Sequence, residues 1–200
     1  REDFALNSLQ QQKADSIVKQ SERIKNLIND LNLASKLEYN MQPLHMEKQN
    51  MAAILRQVVA DFMNMGLEDK YQIEWAAPAP SSCCFVNVDK DLIKRAVGNL
   101  IQNCMNHNAE GCHIYVSLHQ KENHCVIGVE DDGAGASDTQ IESLNHAPHY
   151  MMCDSSTGEQ RHGLGLLIVK QIALSHGGHV EIEHSACGGL GVWIFVPLGD

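Results

Sequence analysis

The sequence predicts an α+β fold, a two-layer sandwich with helices on one face of a mostly antiparallel sheet, preceded by a long amphipathic helix. Three observations predict it. Apolar residues alternate with polar ones in several short stretches, the period of a half-buried strand. Between these stretches, apolar residues recur at helical spacing. The first forty residues carry only helical periodicity, and the texture changes at Pro43.

Residues 16–40 place Ile17, Ile24, Ile28, Leu31 and Ser35 on one narrow helical stripe, flanked by Leu27 and Ala34. This helix is predicted to pack against another helix rather than into the domain that follows. The boundary is drawn at Pro43, giving a helical region over residues 1–43 and an α/β domain over 44–200. Residues 44–49 are predicted as a strand, 51–63 as a helix and 71–75 as a strand, followed by a Pro/Ser-rich loop over 77–82. Residues 85–88 form the next strand. A helix over 89–108 buries Ile93, Ala96, Val97, Leu100, Ile101 and Cys104, and the same pattern puts His107 on its apolar side. Alternation returns at Ile114, Val116 and Leu118, at Cys125, Ile127 and Val129, at Val180 and Ile182, and at Val192, Ile194 and Val196. Residues 136–162 are too polar for core and are predicted as a long loop, whereas 164–175 is apolar enough for a buried helix stopped by Gly177-Gly178.

Composition excludes several classes of function. The net charge is −10, yet residues 1–40 hold six basic and six acidic side chains, so the whole deficit lies in 41–200. Nucleic acid is therefore excluded as a partner. The seven cysteines include no CxxC pair, which argues against a zinc site or a disulfide framework and for reduced thiols in a cytoplasmic setting. No apolar run reaches the roughly 18 residues a membrane span requires, and the first residues do not resemble a signal peptide. Any membrane attachment is expected through segments outside this chain.

Three motifs carry the chemistry. On the helix over 89–108, Asn99, Asn103 and Asn106 form a polar row, and their amide oxygens are hard neutral ligands of the kind magnesium takes beside phosphates. At EDDGAG (130–135), a strand delivers the Asp131 carboxylate to its mouth, where Gly133 and Gly135 let the backbone turn close to a flat ligand. At RHGLGL (161–166), Gly163 and Gly165 open a helix whose first amides and dipole favour an anion. Between Lys121 and Arg161 there is no lysine or arginine, so Arg161 is the nearest permanent cation to a phosphate bound there.

Together these motifs resemble the ATP-binding catalytic domain of sensor histidine kinases, in the superfamily that includes gyrase, heat-shock chaperone and mismatch-repair ATPases. The resemblance covers residues 44–198 and rests on NLIQN (99–103), DDGAG (131–135), GLGL (163–166) with LIVKQIALSHGG, and the closing GLGVWIFVPL. It implies a Bergerat-type ATP-binding fold with ATP and Mg2+ as cofactors. Asp131 would meet adenine, with Gly133 and Gly135 shaping that turn. Asn103, with Asn99, would contact magnesium and phosphates, and Asn103 is the metal ligand. Asn106 stands where the family often has Lys or Arg, and Arg161 compensates beside His162, Gly163, Leu164, Gly165 and Leu166. No protein base is assigned; His107, His149 and His162 are not given metal or acid–base roles, because imidazole is itself nucleophilic near neutral pH.

Residues 16–40 resemble the second helix of the dimerisation and phosphoacceptor hairpin of such kinases. None of the eleven histidines has the phosphoacceptor context, so the acceptor histidine is expected on a helix absent from this chain. The partners implied are a response-regulator receiver domain and a second copy through the hairpin. The alternatives are a degenerate nucleotide-binding module that acts by protein contacts, and another ATPase of the superfamily.

Overall fold

The computed structural model describes residues 8–76, 84–146 and 163–199. Twelve elements follow in chain order: α1 (Ser8–Glu38), β1 (Met46–Asn50), α2 (Met51–Asn64), β2 (Tyr71–Ala76), β3 (Phe85–Asp89), α3 (Lys90–His107), β4 (Cys112–Lys121), β5 (His124–Asp131), α4 (Asp138–His146), α5 (Gly163–Ser175), β6 (His179–His184) and β7 (Leu190–Pro197).

The strands divide into two sheets rather than one. β1 and β3 pair antiparallel, with Met46 opposite Asp89. The main sheet runs β2-β4-β5-β7-β6, antiparallel except that β2 lies parallel to β4. Register follows the alternation seen in the sequence. Val116 faces Val129, which faces Val192, and Leu118 faces Ile127, which faces Ile194. These rows form the inner face, fully buried beneath α2, α3 and α5. A buried aliphatic side chain contributes about 1.5–3 kcal/mol, so the period-2 pattern alone fixes which face points inward.

α3 starts where Asp89 caps it: Oδ1 accepts from the Asp91 and Leu92 amides at 3.1 and 3.2 Å, and Oδ2 accepts from the His45 amide at 3.0 Å. The Asp89 amide donates to Nε2 of buried His176 at 3.0 Å. That bond makes Nε2 an acceptor, so Nδ1 carries the proton and donates to the Ile172 carbonyl at 2.7 Å. One side chain thus locks the end of α5 to the start of α3, and these two helices build the site described below.

Three expectations change. Residues 136–162 contain α4, because Ser137 and Gln140 form a reciprocal capping box: the Ser137 amide donates to Gln140 Oε1 at 2.8 Å and the Gln140 amide donates to Ser137 Oγ at 3.3 Å. Behind it, Asn145 pairs with edge strand β6, donating to the Ile182 carbonyl at 2.8 Å and accepting from the Ile182 amide at 3.1 Å, while Lys170 Nζ caps the Leu144 carbonyl. His107 is exposed at the last residue of α3; the buried stripe continues to Asn108 instead. In α1 the predicted stripe of Ile17, Ile24, Ile28 and Leu31 is exposed. The buried residues are Leu33, Ala34 and Leu37, where the end of the helix packs on α5. Asp30 adds an ion pair to Arg95 of α3 at 2.5 Å.

Candidate functional site

Asp131, the last residue of β5, is 5% exposed although it is a carboxylate. Burial of a charge is tolerated when it is hydrogen-bonded, and Oδ1 accepts from the Gly133 amide at 2.9 Å and from Asn108 Nδ2 at 3.2 Å. Both bonds fall on the same oxygen. Its neighbour Asp132 serves the sheet instead, accepting from the His113 amide at 2.7 Å.

Glycines surround Asp131 because nothing larger fits. A Cβ on Gly133 would lie 1.8 Å from Asn108 Oδ1, and one on Gly189 would lie 2.2 Å from Asp131 Oδ1. The Gly189 amide donates to the Asp131 carbonyl at 3.1 Å, tying the turn before β7 to the end of β5. Gly135 adopts a φ of +66° and rests against the Gly189 carbonyl, a conformation side chains rarely take. Gly189 and Asn108 were both missed by sequence reasoning. GGLG before a strand signals the first, whereas nothing local signals the second.

Two buried thiols sit beneath this carboxylate. Burial pushes Cys104 well above the ordinary thiol range, with the Asp131 charge adding to the rise. Burial, then the charges of Asp131 and Asp132, push Cys112 up to about 11. The floor of the site is therefore neutral and apolar near pH 7.

The asparagine row of α3 divides. Asn103 turns towards the first turn of α5, where a Cβ on Gly165 would lie 3.1 Å from Asn103 Oδ1. Leu166 is buried and Leu164 partly so, which fixes that turn against the core. Asn99 and Asn106, seven residues apart, align to within about 20°, while Asn103 is offset by about 40–60°. They line a cleft of about 1290 Å³ between α3 and α1, with Arg95, Gln102 and Asp30. Asn106 Oδ1 accepts from Gln102 Nε2 at 3.2 Å. Asn99 Nδ2 is buried without a partner, one of two such side-chain nitrogens among the described residues.

Asn103 at the opening of α5 sets a neutral oxygen ligand beside the leading amides of a helix, which have no acceptor within the helix itself, a combination suited to a metal–phosphate group. Among the described residues no group of three or more His, Cys, Asp or Glu could hold a metal alone. A magnesium ion that keeps waters and takes most of its other ligands from phosphates fits this donor set. Gly163 begins α5; Arg161 and His162 lie outside the described residues, as do His149 and most of the predicted loop.

A family model described as histidine kinase-, DNA gyrase B-, and HSP90-like ATPase matches residues 88–200. The sensor histidine kinase YvrG of Bacillus subtilis is 27% identical over 163 residues, 82% of this chain and 28% of that protein. The NMR structure of the histidine kinase domain of the Escherichia coli osmosensor EnvZ is 31% identical, with 80% of this chain and 92% of that one covered at a TM-score of 0.56. Full-length ShkA, in a complex with AMPPNP, shares the fold at a TM-score of 0.76 and 20% identity, over 98% of this chain and 40% of that one. The chain spans about a quarter to a half of the length of the curated relatives it matches.

Proposed function

The chain belongs to the histidine kinase-, DNA gyrase B- and HSP90-like ATPase family, and on that premise we propose that it is the ATP-binding catalytic portion of a two-component sensor histidine kinase. Its reaction is transfer of the γ-phosphoryl group of Mg-ATP to a histidine carried outside these residues, for relay to the aspartate of a response regulator. The observation that carries this reading is the placement of Asn103 against Gly165: a neutral oxygen ligand meets the opening of a helix within the domain that also buries Asp131.

In this reading Asp131 accepts a hydrogen bond from the exocyclic amine of adenine through Oδ2, since Oδ1 already takes two donors. The neutral, apolar floor beneath it excludes water from the base. Asn103 holds magnesium through its amide oxygen, Gly163 and Gly165 admit the phosphates to the first turn of α5, and Arg161 adds the cation that Asn106 does not supply. When bound, magnesium neutralises phosphate charge; these residues contribute positioning, which is what phosphoryl transfer chiefly needs. The exposed Ile17, Ile24, Ile28 and Leu31 stripe suits a helix of the hairpin or of a second copy. Among the described residues no helix is long and apolar enough to cross a membrane; the proposed setting is cytoplasmic, with any anchor elsewhere in the protein.

Calorimetric titration of this chain with ATP, with and without magnesium, tests the reading. Magnesium-dependent binding is expected. Absence of binding up to millimolar ATP would leave a module that acts by protein contacts alone.

A further inference from the structure

The side chain of Asn108 is 9% exposed and makes three hydrogen bonds that meet at the base end of the site. It stands at the C-cap of α3 with φ −119° and ψ 70°. Nδ2 donates to the Cys104 carbonyl at 2.9 Å and to Asp131 Oδ1 at 3.2 Å, and Oδ1 accepts from the Ala134 amide at 3.2 Å. The orientation of the amide is determined, because a flipped group would set oxygen against oxygen at two places and nitrogen against nitrogen at the third. Gly133 is glycine on account of this residue: its Cβ would collide with Asn108 Oδ1. Gly133 has no positive φ, so its own backbone does not demand glycine.

We propose that Asn108 is the positioning residue for base selection, holding the Asp131 carboxylate and the 133–134 turn as one rigid acceptor matched to adenine. The inference rests on the reading of Asp131 as the base-recognising group. An ionised carboxylate only accepts, so it favours the amino group at the adenine six-position over the carbonyl that guanine carries there. That preference requires the carboxylate to stay in place. A carboxylate free to rotate about its last bond, or to draw in water, still admits the triphosphate but loses the distinction. Asn108 stops the rotation by binding Oδ1 from the helix side while Gly133 binds it from the turn side.

The test is calorimetric titration of the 200-residue chain with Mg-ATP and Mg-GTP, for the unsubstituted protein, Asn108→Ala and Asn108→Asp. Melting curves set a temperature at which each variant is folded. The unsubstituted chain is expected to prefer ATP. Asn108→Ala is expected to weaken ATP by about tenfold or more and GTP by less than about twofold, the range of a lost hydrogen bond to a buried charge. Asn108→Asp keeps the shape and the acceptor for the Ala134 amide but sets a carboxylate against Asp131. Its selectivity is expected to be low near pH 8 and to recover towards the unsubstituted ratio near pH 5.5, where the added carboxyl regains a proton to donate. A purely structural role would lower both nucleotides together without that pH dependence. Selectivity retained in a folded Asn108→Ala, or ATP and GTP weakened equally in both variants, overturns the proposal while leaving the nucleotide site standing. No ATP binding by the unsubstituted chain overturns both.

Discussion

The two ends of the proposed nucleotide site are built on opposite principles. At the base end the protein's groups hold one another in place and leave Asp131 Oδ2 for the base: Oδ1 takes two donors, Asn108 makes three hydrogen bonds, and Gly189 closes on the Asp131 carbonyl. At the phosphate end the groups are in place but unspent. Asn103 faces the first turn of α5, its amide oxygen 3.1 Å from where a Cβ on Gly165 would lie. A flat, neutral base is selected by shape and one or two bonds, which demand rigidity in advance. A charged, hydrated phosphate group brings enough binding energy of its own to organise loosely held donors.

The contrast yields graded expectations. Asp131→Asn acts on the rigid end and should be the largest, weakening ATP and adenosine alike by ~1.5–3 kcal/mol; unchanged adenosine affinity would remove the base-recognition role. Asn103→Ala acts on the open end, and the gain in ATP affinity on adding magnesium should shrink by about tenfold or more, which titration at fixed ATP with varied magnesium measures. Arg161→Ala should weaken ATP by up to about fivefold and leave adenosine unaffected. Equal losses for both ligands would assign that side chain to structure. The smallest effect lies outside both ends, in the cleft between α3 and α1. Asn99→Leu removes a buried donor without a partner and should raise the melting temperature of the ligand-free chain by about 2–4 °C, the equivalent of ~1 kcal/mol at this size. A lower melting temperature would make Asn99 a structural residue.

Most of the fold was legible because its signals are local. Alternation in β4, β5 and β7 and the buried stripe of α3 placed those elements to within a few residues of their observed bounds. What was not legible depends on distant partners. The separation of β1 and β3 from the main sheet, and the parallel pairing of β2 with β4, are decided by contacts that no window of sequence contains. α4 escaped because only Ile141 in it is buried, so a capping box rather than periodicity is its signature. The stripe in α1 was read correctly as apolar, but Leu33, Ala34 and Leu37 form the face used within this chain. The same division holds at the site. Asp131, Gly133 and Gly135 announce themselves as a strand-end turn, whereas Asn108 owes its place to the spatial meeting of the end of α3 with the end of β5.

The amide of Asn145 has a consequence for life at high concentration. β6 is the outer strand of the main sheet, and Asn145 occupies both the donor and the acceptor that Ile182 turns outward. A strand edge with free backbone groups recruits strands from other molecules and so seeds aggregation. Here one side chain mimics a further strand for a single residue, blunting that edge at its middle without adding a strand that could itself be extended.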